Sequence, residues 1–141
     1  MIQFFNEDVE FKVPNPRKTK LWLKNIIESE GFGLNQINYI FCSDEYLLSI
    51  NQQYLNHDFY TDIITFDNSD EEQTIEGDIF ISIDRIKENA EQLSKVFYEE
   101  LLRVLVHGVL HLVGYDDHED KDELLMREKE DSYISLFQFI K

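Results

Sequence analysis

Seventeen consecutive residues, Phe97 to Val113, are apolar on nearly every side of a helical wheel, and no other stretch constrains the fold as strongly. A helix without a polar face has to be surrounded by other elements. It falls short of the roughly 20 apolar residues that a membrane span takes, so it is expected at the middle of a packed core. The 141-residue chain is of a size for one domain, 1–141, and its 43% apolar content can fill such a core.

The flanking segments supply the surroundings. Residues 2–5 and 9–13 are predicted as short strands, closed by Pro14 and Pro16. A helix is predicted from Arg17 to about Glu30, with Trp22, Leu23, Ile26 and Ile27 on one side and Arg17, Lys20 and Lys24 towards the other. Gln36–Cys42 reads as a strand, Ser43 or Asp44 can cap a helix to about Tyr54, and Asp62–Phe66 reads as a short apolar strand. Ile75–Ile83 alternates in the manner of a strand, and a helix from Asp84 to about Leu93 follows. A last helix, Asp120 to about Ile140, is expected to turn Leu124, Leu125, Tyr133, Leu136 and Phe137 inward. The pattern predicts an α/β fold, or α+β, with a small mixed β-sheet packed against about five helices.

Charge excludes a general affinity for nucleic acid. Thirteen basic residues against 29 acidic leave a net charge of −16. Residues 12–24 are the exception, holding five basic residues and no acid, and Arg17, Lys20 and Lys24 are the candidate RNA contacts. Residues 116–131 hold nine acids and three basic residues and are expected to form a solvated helix face. One cysteine, Cys42, excludes an internal disulfide and a multi-cysteine zinc site. No apolar run matches a membrane span, and the first residues lack the layout of a signal peptide, so the expected place is the cytoplasm.

The chemistry lies at the end of the apolar helix, in His107-Gly-Val-Leu-His111-Leu-Val-Gly114-Tyr-Asp-Asp117-His118. Histidines at i and i+4 share a helix face, so both imidazoles can reach one metal ion. Unpaired polar rings inside so apolar a helix would be costly. Gly114 can end the helix with positive φ and swing the chain back, after which Asp117 or His118 can supply a third ligand. Three protein ligands and an open position describe a catalytic zinc site. The spacing is also that of metalloproteases that place a glutamate directly after the first histidine; here that residue is Gly108, which disfavours a peptidase. Asp116 is a candidate general base only. Asp62 and Asp78 can face the metal cleft or cap adjacent turns, His57 reads as a solvated loop residue, and Cys42 as a small buried apolar one.

The stretch His107–Asp117 closely resembles the H-G-x-L-H-L-x-G-Y-D-H signature of the YbeY family, the bacterial rRNA maturation factors. Asn51-Gln-Gln-Tyr54, Asp58 and Thr61-Asp62-Ile-Ile-Thr-Phe66 are similar to that family's N-x-x-Y-R-x-x-D-x-P-T-D-V-L-S-F segment, and Gly77-Asp78-Ile-Phe-Ile-Ser82 to its G-D-I-x-I-S strand. The resemblance implies a small α/β fold, one zinc ion per chain, and single-strand-specific endoribonuclease activity. It further implies action in rRNA maturation, including processing of the 16S 3′ end, and in ribosome quality control, with the small ribosomal subunit and assembly factors as partners.

Two positions depart from the family pattern: Leu55 stands where the family has an arginine, and Tyr60 where it has a proline. A ribosome-assembly binding factor with a structural or vestigial zinc site is therefore the alternative. The family's third ligand is a histidine, whereas Asp117 occupies its place six residues after His111. In the family a methionine lies nine residues beyond that ligand, and Met126 keeps this register with Asp117. The resemblance thus implies His107, His111 and Asp117 as the metal ligands, with His118 as the neighbouring choice.

Overall fold

A computed structural model describes residues 1–140. The elements run β1 (Ile2–Asn6), α1 (Pro16–Ser29), β2 (Gly33–Cys42), α2 (Asp44–Leu55), β3 (Ile63–Asp67), β4 (Thr74–Ser82), α3 (Ile83–Gln92), α4 (Phe97–Leu112) and α5 (Asp120–Phe137). The α/β expectation holds, with five helices around one mixed sheet of order β1-β2-β4-β3. β1, β2 and β4 run parallel, and β3 pairs antiparallel with β4.

Local chemistry accounts for most boundaries. Pro16 opens α1, where its missing N–H costs nothing. The Ser43 hydroxyl accepts from Tyr46 N at the start of α2, and the Ser82 hydroxyl accepts from Arg85 N at the start of α3. α4 stops where Gly114 takes φ of +108°, a conformation that costs a glycine little.

Strand alternation divides the sheet between two cores. Ile37, Tyr39 and Phe41 of β2 and Ile75, Ile79 and Ile81 of β4 meet Trp22, Leu23, Leu101 and Leu105 in the larger one, under α1, α4 and α5. Cys42 and Ile64 join Leu47 and Ile50 of α2 in a smaller one on the other face. α4 is buried as its composition requires, and the Tyr39 hydroxyl donates to Leu105 O at 2.7 Å across the helix–sheet contact. The helix lies so close that a Cβ on Gly108 would stand 3.0 Å from Ile79 Cδ1 and 3.1 Å from Ile63 Cδ1. The residue following the first histidine therefore faces the sheet and not solvent.

Two local expectations are corrected. Residues 9–13 form no strand: Val9, Phe11 and Val13 pack on the larger core, and Phe11 lies 5.0 Å from Phe41 and 5.9 Å from Phe97, ring centre to ring centre. The N–H-deficient prolines and the side-chain anchoring favour an irregular path there. In α5, Leu124, Leu125 and Leu136 are exposed, and the inner stripe is Met126, Glu130, Tyr133 and Phe137. These four lie at i, i+4, i+7 and i+11, a clean helical face with a carboxylate in the middle. No helix among the described residues is long and apolar enough to cross a membrane.

Candidate metal centre

The last turns of α4, the loop after Gly114 and the inner stripe of α5 converge beside β3. His107 and His111 project from one face of α4, with Nε2 atoms 3.0 Å apart. The loop brings Asp117 Oδ2 to 3.4 Å from His107 Nε2 and 3.5 Å from His111 Nε2. Four bonds of about 2.0–2.1 Å at tetrahedral angles would separate ligand atoms by roughly 3.3–3.4 Å. The observed triangle thus matches one face of such a polyhedron, and two nitrogens with a carboxylate oxygen are a donor set suited to a divalent cation.

The outer hydrogen bonds support this fit. His107 Nδ1 lies 2.6 Å from Glu130 Oε2, and His111 Nδ1 lies 3.1 Å from Tyr115 O. A backbone carbonyl can only accept, and an ionised carboxylate likewise, so both rings donate from Nδ1 and turn their Nε2 lone pairs towards Asp117. Three electron-rich atoms facing one another need positive charge between them. Metal-binding histidines are held in this way, by carboxylates and carbonyls behind the ring.

Glu130 is itself anchored. Arg103 Nη1 donates to its Oε1 at 2.9 Å, and Arg103 Nη2 reaches Asp131 at 2.6 Å. The Glu130 and Arg103 side chains are only 6% and 11% exposed, so a buried chain of charge runs from Arg103 through Glu130 to His107. On the other side the Tyr115 hydroxyl donates to Glu30 Oε1 at 2.8 Å, tying the ligand-bearing loop to the end of α1. The Tyr133 hydroxyl and Lys129 also reach Glu30, and together they hold its carboxyl below the usual range against the opposing effect of burial.

Burial disfavours a charged His107, but the Glu130 carboxylate outweighs it and raises the imidazole above its ordinary value. Burial, and next the nearby His107, push His111 below it. In metal-free protein the His107–Glu130 pair should contribute stability that is complete below about pH 6.5 and fades as pH rises through the raised value. A metal requires the opposite state, a deprotonated Nε2. As pH is lowered, its apparent affinity should therefore begin to fall while the pH is still above about 6.5, by about tenfold per unit for one competing proton. Chelator competition across a pH series measures the break, and Glu130→Gln should move it downward. A break unchanged in that variant would count against the coupling.

The cleft around His107 has a volume of about 520 Å³ and is lined by Asp62, Arg103, Asp117, Asp120, Arg127 and Glu130 among others. Burial raises the Asp62 carboxyl, with the charge of His107 opposing in part. Asp78 is elsewhere, accepting from Asn38 and Asn68 at the far side of β4. His118 points to solvent and meets Asp116 at 3.2 Å, so the structure brings Asp117 and not His118 to the histidine pair. Asp116 is occupied by His118 and by Asp117 N. Arg17, Lys20 and Lys24 lie on α1; Lys20 Nζ stands 5.2 Å above the Phe4 ring of β1, at the opposite edge of the sheet from β3.

Glu130 and Arg103 were not among the sequence candidates. The one trace of Glu130 is its position four residues after Met126, on the stripe that the apolar pattern should have filled.

Comparison with known proteins gives one result throughout. The family model described as Endoribonuclease YbeY matches residues 2–138. The chain is 51% identical to the endoribonuclease YbeY of Cytophaga hutchinsonii over 138 residues, covering 98% of this chain and 96% of that protein. It is 52% identical to that of Flavobacterium psychrophilum over 133 residues, covering 94% of each. The solution structure of TM1509 from Thermotoga maritima is similar with a TM-score of 0.69 and 33% identity, over 97% of this chain and 89% of that one.

Proposed function

The chain belongs to the YbeY family, and from that membership we propose that it is, over residues 1–141, a zinc-dependent endoribonuclease that cleaves single-stranded RNA in the maturation of ribosomal RNA, including the 16S 3′ end. The observation that carries this reading is the triangle of His107, His111 and Asp117 with both rings locked from behind. The proposed setting is the cytoplasm, with the small ribosomal subunit and its assembly factors as partners.

His107, His111 and Asp117 would hold the zinc ion, which when bound would supply Lewis-acid polarisation of a phosphoryl oxygen and lower the pKa of water. The chain's own residues do the rest. Glu130 and the Tyr115 carbonyl fix the two rings so that Nε2 remains a ligand atom. Arg103 neutralises Glu130 and is used up in doing so. Arg127 lies on the same cleft wall with no ion-pair partner among the described residues, and is placed to meet a substrate phosphate. Asp62, with its carboxyl pKa raised by burial, is placed to exchange a proton at the cleft.

Metal-loaded and chelated protein compared on single-stranded RNA, duplex RNA and casein tests the proposal. Cleavage of single strands alone, lost on chelation and regained with zinc, is expected; indifference to chelation would defeat it. Leu55, exposed at the place of the family's arginine, is the one observation favouring the assembly-factor alternative, in which ribosome binding survives without cleavage.

Arg17, Lys20 and Lys24 are proposed to contact RNA or ribosome away from the metal, given their position beside β1. Replacing all three by glutamate should weaken RNA association and flatten its salt dependence by about three counterions' worth of slope. Unchanged binding in a filter assay across a salt series would reject the patch.

A further inference from the structure

We propose that the loop from Tyr54 to Tyr60 is a stacking platform for unpaired RNA bases, with the His57–Phe59 ring pair at its centre. The inference rests on the endoribonuclease reading and adds how the strand is held.

The segment is unusual for this molecule in two ways. Tyr54, Leu55, Phe59 and Tyr60 are all exposed within seven residues, with Tyr54 at 61% and Phe59 at 56%. A cluster of exposed apolar rings of this kind marks an interaction surface. Residues 46–61 also hold a single acid, Asp58, and no lysine or arginine, in a chain of net charge −16. Asp58 itself accepts from Gln52 Nε2 at 2.5 Å. A polyanion can approach here without the repulsion it meets over most of the surface.

The rings are held in place before any ligand arrives. Asn51 is buried; its Nδ2 donates to Phe59 O at 2.9 Å, and its backbone carbonyl accepts from His57 N at 3.1 Å. The loop is thus pinned at both ring-bearing residues, and the His57 and Phe59 rings lie stacked, 5.1 Å apart and 22° from parallel. Tyr60 is fixed by its hydroxyl, which donates to Glu45 at 2.6 Å, with Arg85 over the ring. Rings already ordered lose little freedom when a base stacks on them.

Position links the platform to the cleft. Phe59 and Asp62 are three residues apart, so their Cα atoms are separated by no more than about 11 Å. Asp62 lines the cleft that holds His107. A strand entering the cleft past Asp62 would therefore run close to Phe59.

Bases fit this site better than phosphates do. Apart from Arg127 the cleft wall is largely acidic, and Arg103 is committed to Glu130 and Asp131, whereas stacking on an aromatic face needs no charge and tolerates any sequence. Paired bases are hidden in a duplex, so such a platform also selects single strands.

The test uses the full chain, chelated to prevent cleavage, and fluorescence anisotropy with short labelled oligoadenylate, an abasic strand of equal length, and a duplex. The parent protein should bind oligoadenylate best. The double variant His57→Ala/Phe59→Ala should lose about tenfold or more on oligoadenylate, lose nothing on the abasic strand, and keep the same salt slope. Phe59→Trp should retain binding, and zinc content after reloading should equal that of the parent in both variants. Parent-like affinity in the double variant, or equal parent affinity for intact and abasic strands, overturns the platform and leaves the patch to a protein partner. A parent protein that cleaves single strands while the double variant binds normally overturns the platform alone. A parent protein that neither binds nor cleaves them overturns the endoribonuclease reading as well.

Discussion

Replacing His107 by alanine should abolish stoichiometric metal binding and RNA cleavage together. Three side chains meet in the triangle, and the loss of one leaves two donors that cannot hold an ion against water. Spread over three ligands, a site free energy of about 10–16 kcal/mol makes each worth about 3–5 kcal/mol, or more than a hundredfold in affinity. His111→Ala and Asp117→Ala should behave alike. His118→Ala should keep its metal, because that ring points to solvent. Elemental analysis after dialysis decides the matter: full occupancy in His107→Ala, or a loss confined to His118→Ala, would refute the ligand set.

The second large effect is expected at Glu130, which touches no ligand-facing atom. Glu130→Ala would leave His107 Nδ1 without its acceptor and Arg103 with Asp131 alone. Removing one member of a buried charged set costs about 3–5 kcal/mol, because the others remain desolvated. Metal affinity should fall by a further 10–100-fold, the usual effect of losing the group behind a ligand histidine. Glu130→Gln should spare most of the stability but not the affinity. Arg103→Met in the Glu130→Ala background should cost less than the two changes added together, since the orphaned cation is gone. Thermal unfolding and chelator competition on the parent, Glu130→Ala, Arg103→Met and the double variant separate these contributions; strict additivity would show that Glu130 and Arg103 do not act as a unit.

The same residue explains where sequence reading succeeded and where it stopped. α4 was legible because an apolar run with no polar face has few places to go, and the histidine spacing followed from helix geometry alone. β-forming composition placed β2, and alternation placed β4, to within a few residues. The approach of Asp117 to the histidine pair agrees with the register that the family resemblance gave it relative to His111 and Met126. The inner face of α5 was not legible, because its stripe of Met126, Glu130, Tyr133 and Phe137 contains an acid that any hydrophobic pattern assigns to water. Only the proximity of Arg103 and His107, on a helix remote in sequence, makes an inward carboxylate affordable. Residues 9–13 failed for a related reason: alternating Val9, Phe11 and Val13 describe what is buried, but not whether a neighbouring strand is free to pair.

The sheet and the metal centre occupy separate stretches of the chain. Every strand of the sheet lies within residues 2–82, ahead of α4. The ligands follow at 107, 111 and 117, and the carboxylate that orients the first of them comes only at 130. The whole centre thus falls within residues 107–130, which contain no strand, so its chemistry can vary without altering any strand that the helices rest on.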